Sequence, residues 1–242
     1  MSKRIFIDGS INSELCIIAA DGQEINYFDY SDDLATSKKN NIYLGTVSRV
    51  EPSLQAAFIE FGSEKKAFLP FDEIHPSYFK IPHNEKILEN GSHKNNEIDD
   101  EKENKKHFLS FYRKYKIQDV IKKDQVLLIQ IVKEERGTKG AAVTTFISLP
   151  GRYSVLLPNN SSTGGVSKKI SNPLDRKRLK RLHDNFNLPE GMSLIIRTNA
   201  ISAEDEDIIA DFSYLRKLWT KIREDTLKSK APVLIAELDT PI

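Results

Sequence analysis

Phe58 and Phe68 lie in the run IYLGTVSRVEPSLQAAFIEFGSEKKAFL, residues 42–69, which alternates apolar and polar residues and breaks at glycine. That pattern predicts three short strands. At those positions a β-barrel of the OB type could present both rings to a nucleic-acid base, where each exposed aromatic contributes about 1–3 kcal/mol of stacking without sequence preference. The same spacing fits two rings buried in the barrel core, so both readings stand open. Lys139, in the glycine-flanked stretch KEERGTKGA, carries a charge that could meet a phosphate oxygen, although a lysine in a loop is as readily just solvated. Arg197 and Thr198 close the apolar run LIIR. A guanidinium there would fork two phosphate oxygens and the hydroxyl would add one bond. Gly151 and Val155 would enter such a site through their backbone amides.

Hydrolytic chemistry has no comparable signature. The five histidines show no metal-ligand spacing, and His83, His93 and His107 lie in or bound one charged stretch. There is no Walker loop, no Gly-x-Ser-x-Gly elbow and no Cys–His pair. Asp99, Asp100 and Glu101 cluster in that same charged stretch, and Glu204 to Asp207 open a helix, where acids complement the dipole. No catalytic and no metal-binding residue is assigned, and no carboxylate site for metal-assisted phosphodiester cleavage is expected.

The elements that must position these groups read as an α+β, β-rich chain of 242 residues. Residues 4–30 predict a β-meander with a hairpin turn at Asp21-Gly22, because a two-residue turn there needs positive φ. Residues 31–41 read as a linker, and the barrel run extends to about Ile74. His83 to His107 is charged and poor in large apolar groups, so it is expected to be a disordered insertion. QVLLIQIV, residues 125–132, reads as a buried strand that completes the barrel. TTFISL and YSVLLP follow as strands joined by Pro150-Gly151-Arg152, then a loop at 159–165. Leu174, Leu179, Leu182 and Phe186 form a helical stripe. Ser202 is expected to cap a second helix carrying Ile208, Ile209, Phe212, Leu215, Trp219 and Ile222, with Pro232 stopping it and VLIAEL as a last strand.

With 36 basic and 35 acidic side chains the net charge is +1, so total charge gives no nucleic-acid signal. Its distribution is less even: Lys168, Lys169, Arg176, Lys177, Arg178, Lys180 and Arg181 stand against one acid, Asp175. Such a segment is a phosphate-binding face or simply a solvated helix face. The single cysteine, Cys16, sits in an apolar run and reads as a core residue, which excludes a disulfide framework. No signal-peptide pattern and no apolar run of roughly 20 residues is present, so a cytoplasmic protein without a membrane segment is expected.

Taken in order, NIYLGTVSRVEPSLQAAFIEFG, KEERGTKGAAVTTFISLPGRY, VLLPNN, GGVSKKI, LPEGMSLIIRT and APVLI resemble the N-terminal portion of the ribonuclease E/G family, over about Arg4 to Pro232. The resemblance implies an RNase H-like segment at 1–36, an OB-fold RNA-binding barrel of the ribosomal type at 37–145, and a mixed α/β 5′-sensor domain at 146–242. It implies RNA contact by Phe58, Phe68 and Lys139. It also implies a 5′-monophosphate held by Arg197 and Thr198 in a pocket lined by Gly151 and Val155. Lys168 stands where the family usually has arginine, which keeps the charge and loses the fork. The family's magnesium aspartates and zinc link belong to a later DNase I-like domain and its junction, so no cofactor is expected here. The expected function is binding of single-stranded RNA, preferably 5′-monophosphorylated, in RNA processing and decay, by a truncated ribonuclease E/G-type chain with no DNA partner. The alternative is one part of a magnesium-dependent endoribonuclease whose catalytic domain is supplied by a separate chain.

Overall fold

The computed structural model describes residues 3–10, 14–22, 24–32, 38–80, 112–160 and 164–238. The expected insertion at 83–107 lies outside them. Strands β1 (Lys3–Ser10), β2 (Glu14–Asp21) and β3 (Glu24–Asp32) form the expected antiparallel meander. Its turn sits one residue later than Asp21-Gly22 suggested: Asp21 still pairs with Glu24, while Gly22 takes φ +65°. Gly22 thus sits in the left-handed region, which glycine adopts at no steric cost.

Five strands then close on themselves: β4 (Ile42–Glu51), β5 (Ala56–Glu60), β6 (Ala67–Pro70), β7 (Val126–Lys133) and β8 (Ala142–Thr144). Their circuit is β4-β5-β6-β8-β7 and back to β4, with β6 and β8 parallel and the other pairs antiparallel. This is a closed, OB-like barrel. Val47, Ala57, Ile59, Ala67, Leu69, Leu127, Ile129 and Ile131 fill its interior. A four-residue helix, α1 (Ile117–Val120), adds buried Ile117 and Val120 to the same core.

Beyond the barrel, β9 (Leu149–Pro150), β10 (Ser154–Leu157), β11 (Gly165–Val166) and β12 (Ser193–Ile196) form a sheet in the order β11-β12-β10-β9. Helices α2 (Pro173–Asp184) and α3 (Asp205–Lys228) pack against it. The last strand, β13 (Val233–Ala236), returns to pair with β4 of the barrel. A second core therefore includes Ile42, Leu44 and Leu128 from the barrel wall beside Leu156, Leu194, Phe212 and Leu215. This explains the consecutive apolar residues Ile42–Leu44 of β4 and Val126–Ile129 of β7. Tyr43 and Val47 of β4 and Leu127, Ile129 and Ile131 of β7 contact the barrel interior, while Ile42, Leu44 and Leu128 contact the second core. A strand buried on both faces loses its alternation.

Several local expectations shift. Of the strand expected over TTFISL, only Thr144, which ends β8, and Leu149, which opens β9, lie in strands. Ser202 does not cap α3: it ends a 3₁₀ turn over Thr198–Ser202, and Glu204 occupies the cap position. Leu174 leaves the apolar stripe of α2 and is 78% exposed, whereas Leu179, Leu182 and Phe186 are buried. α3 ends at Lys228, ahead of Pro232. No helix among the described residues is long and apolar enough to cross a membrane.

Gly140 has a packing role that its sequence context hides. A Cβ there would overlap the carbonyl oxygen of Lys66, where the loop before β8 presses on the start of β6. Gly140→Ala is expected to destabilise the chain by about 1–3 kcal/mol, because the clash is with backbone. Urea unfolding of the two proteins checks this.

Candidate nucleic-acid interface

The barrel decides between the two readings of the phenylalanines. Phe58 alternates with buried Ala57 and Ile59, and Phe68 with buried Ala67 and Leu69. Both rings are half-buried and project away from the barrel interior. Phe58 pairs directly with Phe68 across β5 and β6, their ring centroids 5.9 Å apart and inclined at 68°. On the other side Arg49 of β4 pairs with Phe58, its guanidinium carbon 4.8 Å from the ring centroid. The result is a row of cation, ring, ring across three strands, held by a cation–π contact and an edge-to-face contact. A β-bulge between Val47 and Arg49 brings Arg49 into that row.

Lys139 is exposed in a tight loop closed by paired Arg136 and Lys139 backbones. Gly140 packs on Lys66, and the Phe68 amide donates to the Ala141 carbonyl at 2.7 Å. The loop of Lys139 thus lies against the strand that carries Phe68.

A second cluster forms where β12 ends. Arg197 and Thr198 are both exposed there. One guanidinium nitrogen of Arg197 donates to the Gly151 carbonyl at 2.8 Å, and its backbone amide donates to the Tyr153 carbonyl at 2.8 Å. Arginine carries five N–H donors, so the group retains capacity for an anion while one bond fixes its base. Val155 lies on β10, opposite Ile195 of β12. The Ser167 amide donates to the Ile196 carbonyl, which sets exposed Lys168 in the turn beside the same strand end. Arg197, Thr198, Gly151 and Lys168 therefore all follow strands that finish at the same end of the sheet.

Two residues that build this end of the sheet were not marked for that role by the sequence. Asp211 of α3 accepts from the backbone amides of Arg152, Tyr153 and Ser154, at 2.9, 3.2 and 2.9 Å, and from the Ser154 hydroxyl at 2.8 Å. It holds the turn whose Gly151 carbonyl anchors Arg197. A Cβ on Gly151 would stand 2.6 Å from both Asp211 carboxylate oxygens, so glycine is required by close approach. Arg178 is the other. Its guanidinium donates to the carbonyls of Ala200, Ile201 and Ala203 and pairs with Asp205 at 2.6 Å. It supports the 3₁₀ turn that begins at Thr198 and joins α2 to the first turn of α3. Arg176 likewise donates to the Ser167 and Ile170 carbonyls. Two members of the basic segment thus bond to backbone carbonyls of neighbouring loops.

Gly151→Ala is expected to displace Asp211, cost about 1–3 kcal/mol in unfolding free energy, and loosen Arg197 with the turn. A denaturant melt reads the first effect and anion binding the second.

The ribonuclease E/G family model matches residues 148–242, which contain this second cluster. Ribonuclease E of Escherichia coli K12 is 39% identical over 233 residues, covering 96% of this chain and 19% of that protein. Ribonuclease E of Buchnera aphidicola subsp. Schizaphis graminum is 38% identical over 233 residues, covering 96% of the chain and 21% of the relative. The chain belongs to the ribonuclease E/G family. Ribonuclease G of Salmonella typhimurium is 37% identical over 184 residues, 76% of this chain and 32% of that protein. The chain thus spans about a fifth of the length of the two ribonuclease E relatives.

Proposed function

We propose that this chain binds single-stranded RNA, stacking bases on Phe58 and Phe68 and recognising a 5′-monophosphate with Arg197 and Thr198. The observation that carries the reading is the anchoring of Arg197. Its guanidinium is fixed by the Gly151 carbonyl, in a turn whose next three amides Asp211 holds, yet it remains exposed next to exposed Thr198. A pre-positioned cation with spare donors suits a terminal phosphate dianion, which a chain-internal phosphodiester does not match in charge.

On this reading the barrel is the RNA-binding domain and the sheet with α2 and α3 is the 5′ sensor. Lys139 and Lys168 add positive charge to the two surfaces. β1–β3 is the RNase H-like segment. These 242 residues supply recognition in RNA processing, and the family resemblance assigns magnesium-dependent hydrolysis to a different domain.

Amide NMR of the labelled chain, titrated with a 5′-monophosphorylated single-stranded decamer, tests the proposal. Shifts are expected around Phe58 and Phe68 and around Gly151, Arg197 and Thr198. A titration that leaves the second group unmoved contradicts the sensor reading, and one that leaves both unmoved contradicts RNA binding here.

A further inference from the structure

An open groove of about 510 Å³ crosses β4 next to the ring row and is lined by Ser48, Arg49, Lys66, Gln118, Lys122 and Lys123 among others. Among the described residues, no carboxylate lines it. The cations come from three separate parts of the barrel: Arg49 from β4, Lys66 just ahead of β6, and Lys122 with Lys123 from the segment between α1 and β7. We infer that this groove holds the phosphodiester backbone of the RNA strand whose bases stack on Phe58 and Phe68. The inference rests on the barrel half of the proposed function and extends it to residues that the ring pair and Lys139 do not include.

Continuity is the first argument. Arg49 lies in both features, with its guanidinium over Phe58 and its side chain on the groove wall. A base on Phe58 would therefore direct its sugar and phosphate toward the groove, past a guanidinium that can fork two oxygens. Donor capacity is the second. The Lys66 ammonium donates to the Ser48 hydroxyl at 2.5 Å, and Lys122 donates to the Gln118 carbonyl at 3.2 Å. Each ammonium has three donors, so both keep donors for a phosphate. Lys122 and Lys123 are exposed.

The neighbouring acids do not fill the groove. Glu51 meets Arg49 at 3.8 Å, and the arginine side chain of that pair is 63% exposed. A pair of this kind is worth about 0–1 kcal/mol, which a phosphodiester can replace. The Asp119 carboxylate accepts from the Lys116 amide at the start of α1, and Asp124 is exposed in the turn ahead of β7. Backbone neutralisation by several lysines is sequence-independent and salt-dependent, which complements stacking that is equally indifferent to sequence.

The test is fluorescence anisotropy of the full chain with a 5′-hydroxyl single-stranded dodecamer across a salt series, which leaves the 5′-phosphate out of the comparison. Lys122→Ala/Lys123→Ala is expected to reduce the slope of log affinity against log salt by about 1.4, since each charge on a single strand contributes about 0.7. The Lys122→Arg/Lys123→Arg pair should keep the wild-type slope. An alanine pair with unchanged affinity and slope overturns the inference. If Phe58→Ala/Phe68→Ala loses binding while the alanine pair does not, the groove is refuted and the barrel reading stands. If the wild-type chain does not bind, both are refuted together.

Discussion

Arg197→Ala should erase the preference for a 5′-monophosphorylated RNA over the same RNA with a 5′-hydroxyl, leaving the affinity for the hydroxyl form nearly unchanged. The wild-type preference is expected to be about tenfold or more, the effect of one charge-assisted hydrogen bond worth about 1.5–3 kcal/mol. Arg197 is exposed and its contact to Gly151 is made beyond the strand ends, so its loss should not unfold the chain. Arg197→Lys keeps the charge and loses the planar fork, so it should retain part of the preference. Anisotropy with the two RNAs reads all three proteins. A full preference in the alanine variant would place the phosphate elsewhere.

The second large effect is expected from Phe58→Ala/Phe68→Ala. Base stacking on each ring is worth about 1–3 kcal/mol, so losing both should weaken single-stranded RNA binding by at least about thirtyfold. Stability should fall far less. Both rings lie off the barrel interior, and a cross-strand pair of this kind contributes only about 0.2–1 kcal/mol beyond alanine. A thermal melt beside the binding curve separates the two consequences. The outcome that contradicts the assignment is normal RNA affinity in a protein that melts normally.

How far the sequence could be read follows from the range of the contacts involved. The barrel strands of residues 42–69 were legible because alternation is a local property, and it placed Phe58 and Phe68 on strands that do pair. Alternation did not give the face, since the choice between core and surface depends on how the sheet closes through β7 and β8. The turn after β2 was found but misplaced by one residue, because Asp-Gly and a turn centred on glycine share the same composition. Ser202 resembles a cap in type and spacing, yet the chain first makes a 3₁₀ turn, which Arg178 of α2 holds by three carbonyl contacts. Likewise Asp211 reads as one polar residue on an amphipathic helix, and its four bonds to Arg152–Ser154 span a separation of 57–59 residues. The return of β13 to the barrel was equally hidden: a strand's propensity does not name its partner. The residues that could touch RNA were thus partly legible, and the ones that hold them in place were not.

The most direct measurement compares the wild-type chain's affinity for one single-stranded decamer carrying either a 5′-monophosphate or a 5′-hydroxyl, at fixed salt. The account predicts binding to both, through the ring row, with the monophosphate about tenfold or more tighter, a difference of about 1.4 kcal/mol or more. Equal affinity for the two ends would contradict recognition of the 5′ phosphate by Arg197 and Thr198.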